Sequence, residues 1–256
     1  IKLFPNSIGA KQCESIRSEI LQPELTFSMQ SVVLPNQEIN AKISYRNLTN
    51  PHYRIYKLEQ AELKEIDGRS IQDIVKTLLR KDYIVENVVN VPENKDYQEH
   101  SIDIKLPELE CGTYFIMFSE DDIFSKNEEH LPAIHIFQVS NLSFVTTKEN
   151  DDFIVYVLDR ESGKPVKDVN VNIFKRTYDY SRRQYVKTTI SDLTTDKNGT
   201  VKVVNGTNNP FHIDLFKGDD KLLSDLYFHN YQDDKEEKLT EKTHFFTDRA
   251  IYRPGQ

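Results

Sequence analysis

The chain has 256 residues, 38% hydrophobic and 29% charged, with a formal net charge of -8, a pI near 5.5 and a mean hydropathy of -0.61. That is room for about two domains of ordinary size, with modest cores under heavily solvated surfaces. The acidic balance argues against a nucleic-acid partner held through its phosphates, and no apolar run is long enough to make a membrane-spanning helix.

At the start, Ile1-Lys2-Leu3-Phe4-Pro5 lacks the basic region and apolar stretch of a signal peptide, so none is expected in this piece. Residues 1–21 are expected to form an N-terminal helix. Ala10, Cys13, Ile16, Ile20 and Leu21 recur at helical spacing, Asn6 or Ser7 can cap the start, and Pro23 stops it. One such helix cannot bury its face alone. It reads as the end of an upstream helical unit, or as a brace on the domain that follows.

From Gln22 the period switches to two, and residues 22–140 are expected to form a first antiparallel β-sandwich. Ile39, Ala41, Ile43 and Tyr45 alternate with polar residues, as do Ile102, Ile104 and Leu106. The stretch from Gly112 to Phe118 is apolar on both faces, as a central strand would be, and a further strand is expected over 131–139. Pro35 to Glu38 and Leu106 to Gly112 supply turns before strands. One helical excursion interrupts the pattern at about 70–81. Ser70 and Asp73 approximate a capping box, and Ile71, Ile74, Val75, Leu78 and Leu79 form an unbroken apolar stripe. The excursion is expected to lie across an end of the sandwich.

Residues 141–231 read as a second sandwich. Phe153, Val155 and Val157 share one strand face. Gly163-Lys164-Pro165-Val166 then gives a turn into the alternating run Val169, Val171, Ile173. Thr195-Asp196-Lys197-Asn198-Gly199 reads as a hairpin turn before strands over 200–204 and 211–216. Arg182-Arg183, the densest basic spot, reads as a solvated hairpin end near Lys175-Arg176. The acidic run from Gln232 to Lys238 reads as a solvated linker.

The chain carries little that resembles catalytic chemistry. There is no G-x-S-x-G, no P-loop and no G-x-G-x-x-G, and its eight glycines leave little material for phosphate-cradling loops. Asp196 to Gly199 contains part of a calcium-loop pattern, but Thr194 and Asn205 stand where acids are wanted. Asp121-Asp122 with Glu128-Glu129-His130 matches no metal-site spacing, and the histidines show no zinc pattern. The two cysteines, Cys13 and Cys111, fall in segments assigned to different units, so no disulfide is expected between them, and the redox compartment stays open. Asn47, Asn141, Asn198 and Asn205 begin sequons that matter only in a eukaryotic secretory pathway. No catalytic, cofactor or metal residue is therefore assigned, and no enzyme activity is expected.

Two stretches carry resemblances. G-x-P-V-x-x-V-x-V at Gly163 to Val171, followed by Thr195-Asp196-Lys197-Asn198-Gly199, resembles the carboxypeptidase-regulatory-like and related bacterial Ig-type sandwiches, which implies a non-enzymatic spacer. Thr247-Asp248-Arg249-Ala250-Ile251-Tyr252-Arg253-Pro254-Gly255-Gln256 resembles the segment that opens a macroglobulin domain in the alpha-2-macroglobulin family, especially its large bacterial members. Residues 232–256 are accordingly expected to be the acidic linker plus the first strand of a macroglobulin domain that continues downstream.

The resemblance implies a mainly β fold of two tandem Ig-like or macroglobulin-like sandwiches. It also implies a scaffold role within a large bacterial envelope protein that traps endopeptidases. Implied partners are proteases, met by the whole protein, and the downstream macroglobulin domains. The Cys13-Glu14-Ser15-Ile16 stretch lacks the Gln of that family's thioester, so Cys13 is expected to be a small buried hydrophobe. The alternative reading is a stalk of Ig-like modules in a surface adhesion or glycan-handling protein.

Overall fold

Alternation of apolar and polar residues decides most of the chain, and it builds two stacked pairs of β-sheets. The structure is a computed structural model that describes residues 4–124, 131–149, 152–181, 184–203 and 210–228. The macroglobulin-like segment at 247–256, the acidic run at 232–238, Glu128 to His130, Arg182-Arg183 and Asn205 lie outside the described residues.

Helix α1 (Ile8–Leu21) starts where Ser7 Oγ accepts the Ala10 N–H at 3.1 Å. Its C-terminal end is held by Asn47, a left-handed residue (φ 55°) whose Nδ2 donates to Ile20 O at 2.8 Å and Gln22 O at 3.1 Å. Only Ala10 of the stripe is buried, while Ile16 stays 56% exposed. Cys13 is exposed too, which corrects its reading as a buried hydrophobe. The helix is tied by its end and packs almost none of its apolar face.

The first sandwich follows with β1 (Glu24–Met29), β2 (Val32–Val33), β3 (Ile39–Arg46), β4 (His52–Leu58), α2 (Gln60–Ile66), α3 (Ile71–Leu78), β5 (Val85–Val88), β6 (His100–Leu106), β7 (Gly112–Ser119) and β8 (Ala133–Val139). One sheet has the order β1-β3-β6 and the other β2-β8-β7-β4-β5, antiparallel apart from the short parallel pair of β2 with β8. Ile39, Ala41, Ile43 and Tyr45 of β3 face Tyr53, Ile55, Ile116 and Phe118 across one core. The opposite faces of β4 and β7 put Tyr56, Leu58, Phe115 and Met117 into a second cluster with Leu78, Ile66 and Phe124.

Helices α2 and α3 therefore cover the outer face of the five-stranded sheet, not an end of the sandwich. This is why β7 is apolar on both faces. Ser70 Oγ caps α3 by accepting the Asp73 N–H at 3.2 Å. Helix α2 has no counterpart in the sequence reading. It is started by a capping box in which Glu62 reaches back to the Glu59 N–H at 2.7 Å.

The second sandwich comprises β9 (Leu142–Glu149), β10 (Asp152–Asp159), β11 (Asn170–Asp179), β12 (Gln184–Thr194), β13 (Thr200–Val203), β14 (Phe211–Lys217) and β15 (Asp220–Phe228). A three-stranded sheet of order β13-β10-β9 packs on a four-stranded sheet of order β12-β11-β14-β15. Phe153, Val155 and Val157 meet Val171, Ile173, Ile213 and Leu215 between them.

The turn at Asp196 to Gly199 is not a hairpin: β12 pairs with β11, whereas β13 pairs with β10 in the facing sheet. The turn carries the chain across the core. Gly199 has φ +70°, and a Cβ there would lie 2.5 Å from Val157 O and 2.9 Å from Val166 N. No other residue fits without displacing backbone.

Candidate functional site

The place where side chains of distant origin converge is the seam between the two sandwiches. At its base the chain passes from β8 to β9 through Ser140, Asn141 and Leu142, and both Ser140 and Leu142 are buried. Ser140 Oγ donates to Asp220 Oδ1 at 2.6 Å, and the Asn141 N–H donates to Asp220 Oδ2 at 3.0 Å. The Gln138 amide donates to Leu223 O and accepts the Leu223 N–H, both at 2.7 Å, so one side chain takes the place of a strand neighbour for β15. Arg160 Nη2 donates to Leu142 O at 2.7 Å from the start of the β10–β11 connection. Hydrogen bonds to charged groups are worth about 1.5–3 kcal/mol each, and several act together on three residues of linker.

Above this base the walls part into a cleft of about 700 Å³, within the range of ligand sites. One wall is α2 and its C-terminal turn, with Ile74 of α3 and Ile136 of β8; the other is the outer face of the four-stranded sheet. On that second wall Phe174 follows the inward Ile173 in the strand alternation and so faces outward, where His212, its register partner on β14, stacks on it with ring centroids 5.1 Å apart. Lys187 Nζ sits 3.8 Å from the Phe174 ring centroid and 2.5 Å from Asp214 Oδ2.

Asp214 is the buried member of that pair, its side chain only 7% exposed, and it also accepts the Ser224 N–H at 3.1 Å. Burial pushes its carboxyl above the ordinary aspartate value, and the Lys187 ammonium only partly offsets this. At the rim Arg176 reaches across the cleft. Its Nη2 lies 2.6 Å from Asp67 Oδ2 beside α2, and its guanidinium stacks over Tyr185 at 5.0 Å.

The residues weighed from sequence do not meet there. Asp196 Oδ1 accepts the N–H groups of Asn198 and Thr200 at 2.9 and 2.8 Å, so that oxygen holds its own turn. Asp121 Oδ1 likewise takes the Ile123 N–H at 3.1 Å. Among the described residues no group of three His, Cys, Asp or Glu is gathered to hold a metal. Cys111 lies against the linker, where burial, with the Asp220 carboxylate adding to it, pushes the thiol up and keeps it protonated at neutral pH. Cys13 and Cys111 are both free thiols. No helix among the described residues is long and apolar enough to cross a membrane.

The cleft was invisible in sequence because its lining comes from eight elements, α2, α3, β7, β8, β11, β12, β14 and β15. The available signal was the basic-aromatic alternation of Phe174, Arg176, Tyr185 and Lys187, split between two strands that pair only in the fold.

The fold is shared with two crystal structures of native alpha-2-macroglobulin from Escherichia coli. The fragment spanning domains NIE-MG1 is 15% identical with a TM-score of 0.55, and the match covers 80% of this chain and 98% of that one. The fragment spanning MG0-NIE-MG1 is 16% identical with a TM-score of 0.57, covering 80% of this chain and 64% of that one. At such identities the likeness establishes an alpha-2-macroglobulin-like fold. No family model and no curated protein matches the sequence.

Proposed function

We propose that this chain is a scaffold region of a large bacterial alpha-2-macroglobulin-like protein, with residues 22–140 and 141–231 as its two rigid units. The observation that carries the reading is the likeness to the NIE-MG1 fragment over 98% of that fragment's length. The macroglobulin-like wording of Thr247 to Gln256 agrees with it. In this reading the whole protein is an endopeptidase inhibitor of the cell envelope, and cleavage of an exposed segment closes its domains around the attacking protease.

The contribution of this region is geometric. A linker held by Asp220, Gln138 and Arg160 fixes one sandwich on the other, so parts attached downstream start from a defined position. The chain itself performs no catalysis, and its partners are the downstream macroglobulin domains and, through them, proteases.

The test uses the full-length protein and a broad-specificity protease. Nicking is expected at one region, after which the protease is shielded from a large inhibitor but still turns over a small substrate. Scattered cleavage with a fully accessible protease would sink the reading. The present chain alone is expected to leave the protease uninhibited.

A further inference from the structure

The cleft carries an excess of positive charge in an acidic protein. Four cations line it, Lys64, Arg69, Arg176 and Lys187, against two carboxylates, Asp67 and Asp214, while the chain as a whole carries -8. Both carboxylates are already committed, Asp67 to Arg176 and Asp214 to Lys187. Arg69 has an exposed partner one turn back, Glu65 at 3.4 Å, and such a pair is worth about 0–1 kcal/mol. Arg69 is therefore cheaply released to a better acceptor, and Lys64 stands exposed beside it on α2.

Between these cations and the far wall lies uncovered apolar surface. Ile136 is 41% exposed although it sits on a central sheet, and Tyr185 is 53% exposed although Arg176 stacks on it. Tyr and Arg are the residues most often found to carry binding energy when a partner covers them.

We propose that this cleft is the docking site for a linear acidic segment of a separate polypeptide, one in which carboxylates are interspersed with apolar side chains. Carboxylates pair with Lys64 and Arg69, Arg offering the forked geometry that suits them. Apolar side chains cover Ile136 and Tyr185. A nucleic acid fits less well: two available cations neutralise few of its closely spaced phosphates, and its backbone offers no apolar side chains to cover Ile136. This docking role is independent of the scaffold reading, since peptide capture by the present chain tests one and protease shielding by the whole protein tests the other.

The experiment is fluorescence anisotropy on the full 256-residue chain at low ionic strength. The probe is a dye-labelled peptide of repeating Glu-Glu-Leu, with a Lys-Lys-Leu peptide and an oligothymidylate of similar length as comparators. Saturable binding of the acidic peptide is expected, at least about tenfold tighter than either comparator. The double variant Lys64→Glu, Arg69→Glu should weaken it by about tenfold or more with an unchanged thermal transition, because both side chains lie outside the cores. Tyr185→Ser should weaken it as well. The proposal is overturned by absence of saturable binding, by unchanged affinity in the double variant, or by oligothymidylate binding as tightly as the peptide.

Discussion

Two glycines separate conformational strain from crowding. Gly163 and Gly199 both have positive φ, +68° and +70°, but a Cβ at Gly163 meets nothing within 4 Å whereas one at Gly199 meets the backbone of Val157 and Val166. Gly163→Ala should cost only the left-handed penalty, about 1–2 kcal/mol. Gly199→Ala adds displacement of packed backbone, for about 2–4 kcal/mol in all. Urea unfolding midpoints check the order; equal losses would mean that the crossing turn yields easily. Asp214 gives a pH-dependent counterpart. Its carboxyl is raised by burial, so the folded chain holds that proton to higher pH than the unfolded one. The Asp214 contribution to stability is therefore full below the ordinary aspartate value and falls as pH rises through the raised one. Asp214→Asn abolishes the titration, so the unfolding free energy of the wild type minus that of the variant should fall across that window and be level on both sides. A difference that grows with pH contradicts the assignment.

Among the elements, α3 is where sequence and structure agree on existence and differ on place. Its stripe was legible because five apolar residues keep helical spacing, but nothing in that spacing says which surface receives them. The receiving surface was recorded elsewhere, in Tyr56, Leu58, Phe115 and Met117 on the outward faces of β4 and β7. Leu78→Ala should open a cavity in that layer and cost about 2–5 kcal/mol. Ile16→Ala on the exposed face of α1 should change stability by less than about 0.5 kcal/mol. Thermal or chemical unfolding distinguishes them, and a large loss at Ile16 would show that α1 is packed after all. Helix α2 escaped notice because only Leu63 and Ile66 mark its inner side and glutamates make its cap. The Asp196 to Gly199 turn was legible as a turn but not as a crossing, since alternation identifies strands and says nothing of their partners. Cys13 was misplaced for a different reason: with no thioester pattern around it, it read as a small buried hydrophobe, but the helix that carries it packs almost none of its stripe.

At the scale of the whole molecule, the proposed scaffold role depends on how the two sandwiches are joined. Tandem domains commonly move on a flexible linker, and that is the default expectation. Here Ser140 and Leu142 of the linker are buried, Asp220 and Gln138 bind across it, and Arg176 to Asp67 closes the far side of the cleft. Asp220→Ala removes the acceptor for both Ser140 Oγ and the Asn141 N–H, and should destabilise by about 1–3 kcal/mol in chemical unfolding. No loss would mean that water replaces the carboxylate freely. The most direct test of a fixed joint is backbone ¹⁵N relaxation of the intact chain, comparing amides of β3, β4 and β7 with those of β10, β11 and β14. A fixed joint gives one rotational correlation time and one diffusion tensor for both groups. Two distinct correlation times would show the sandwiches tumbling separately and would contradict the scaffold role.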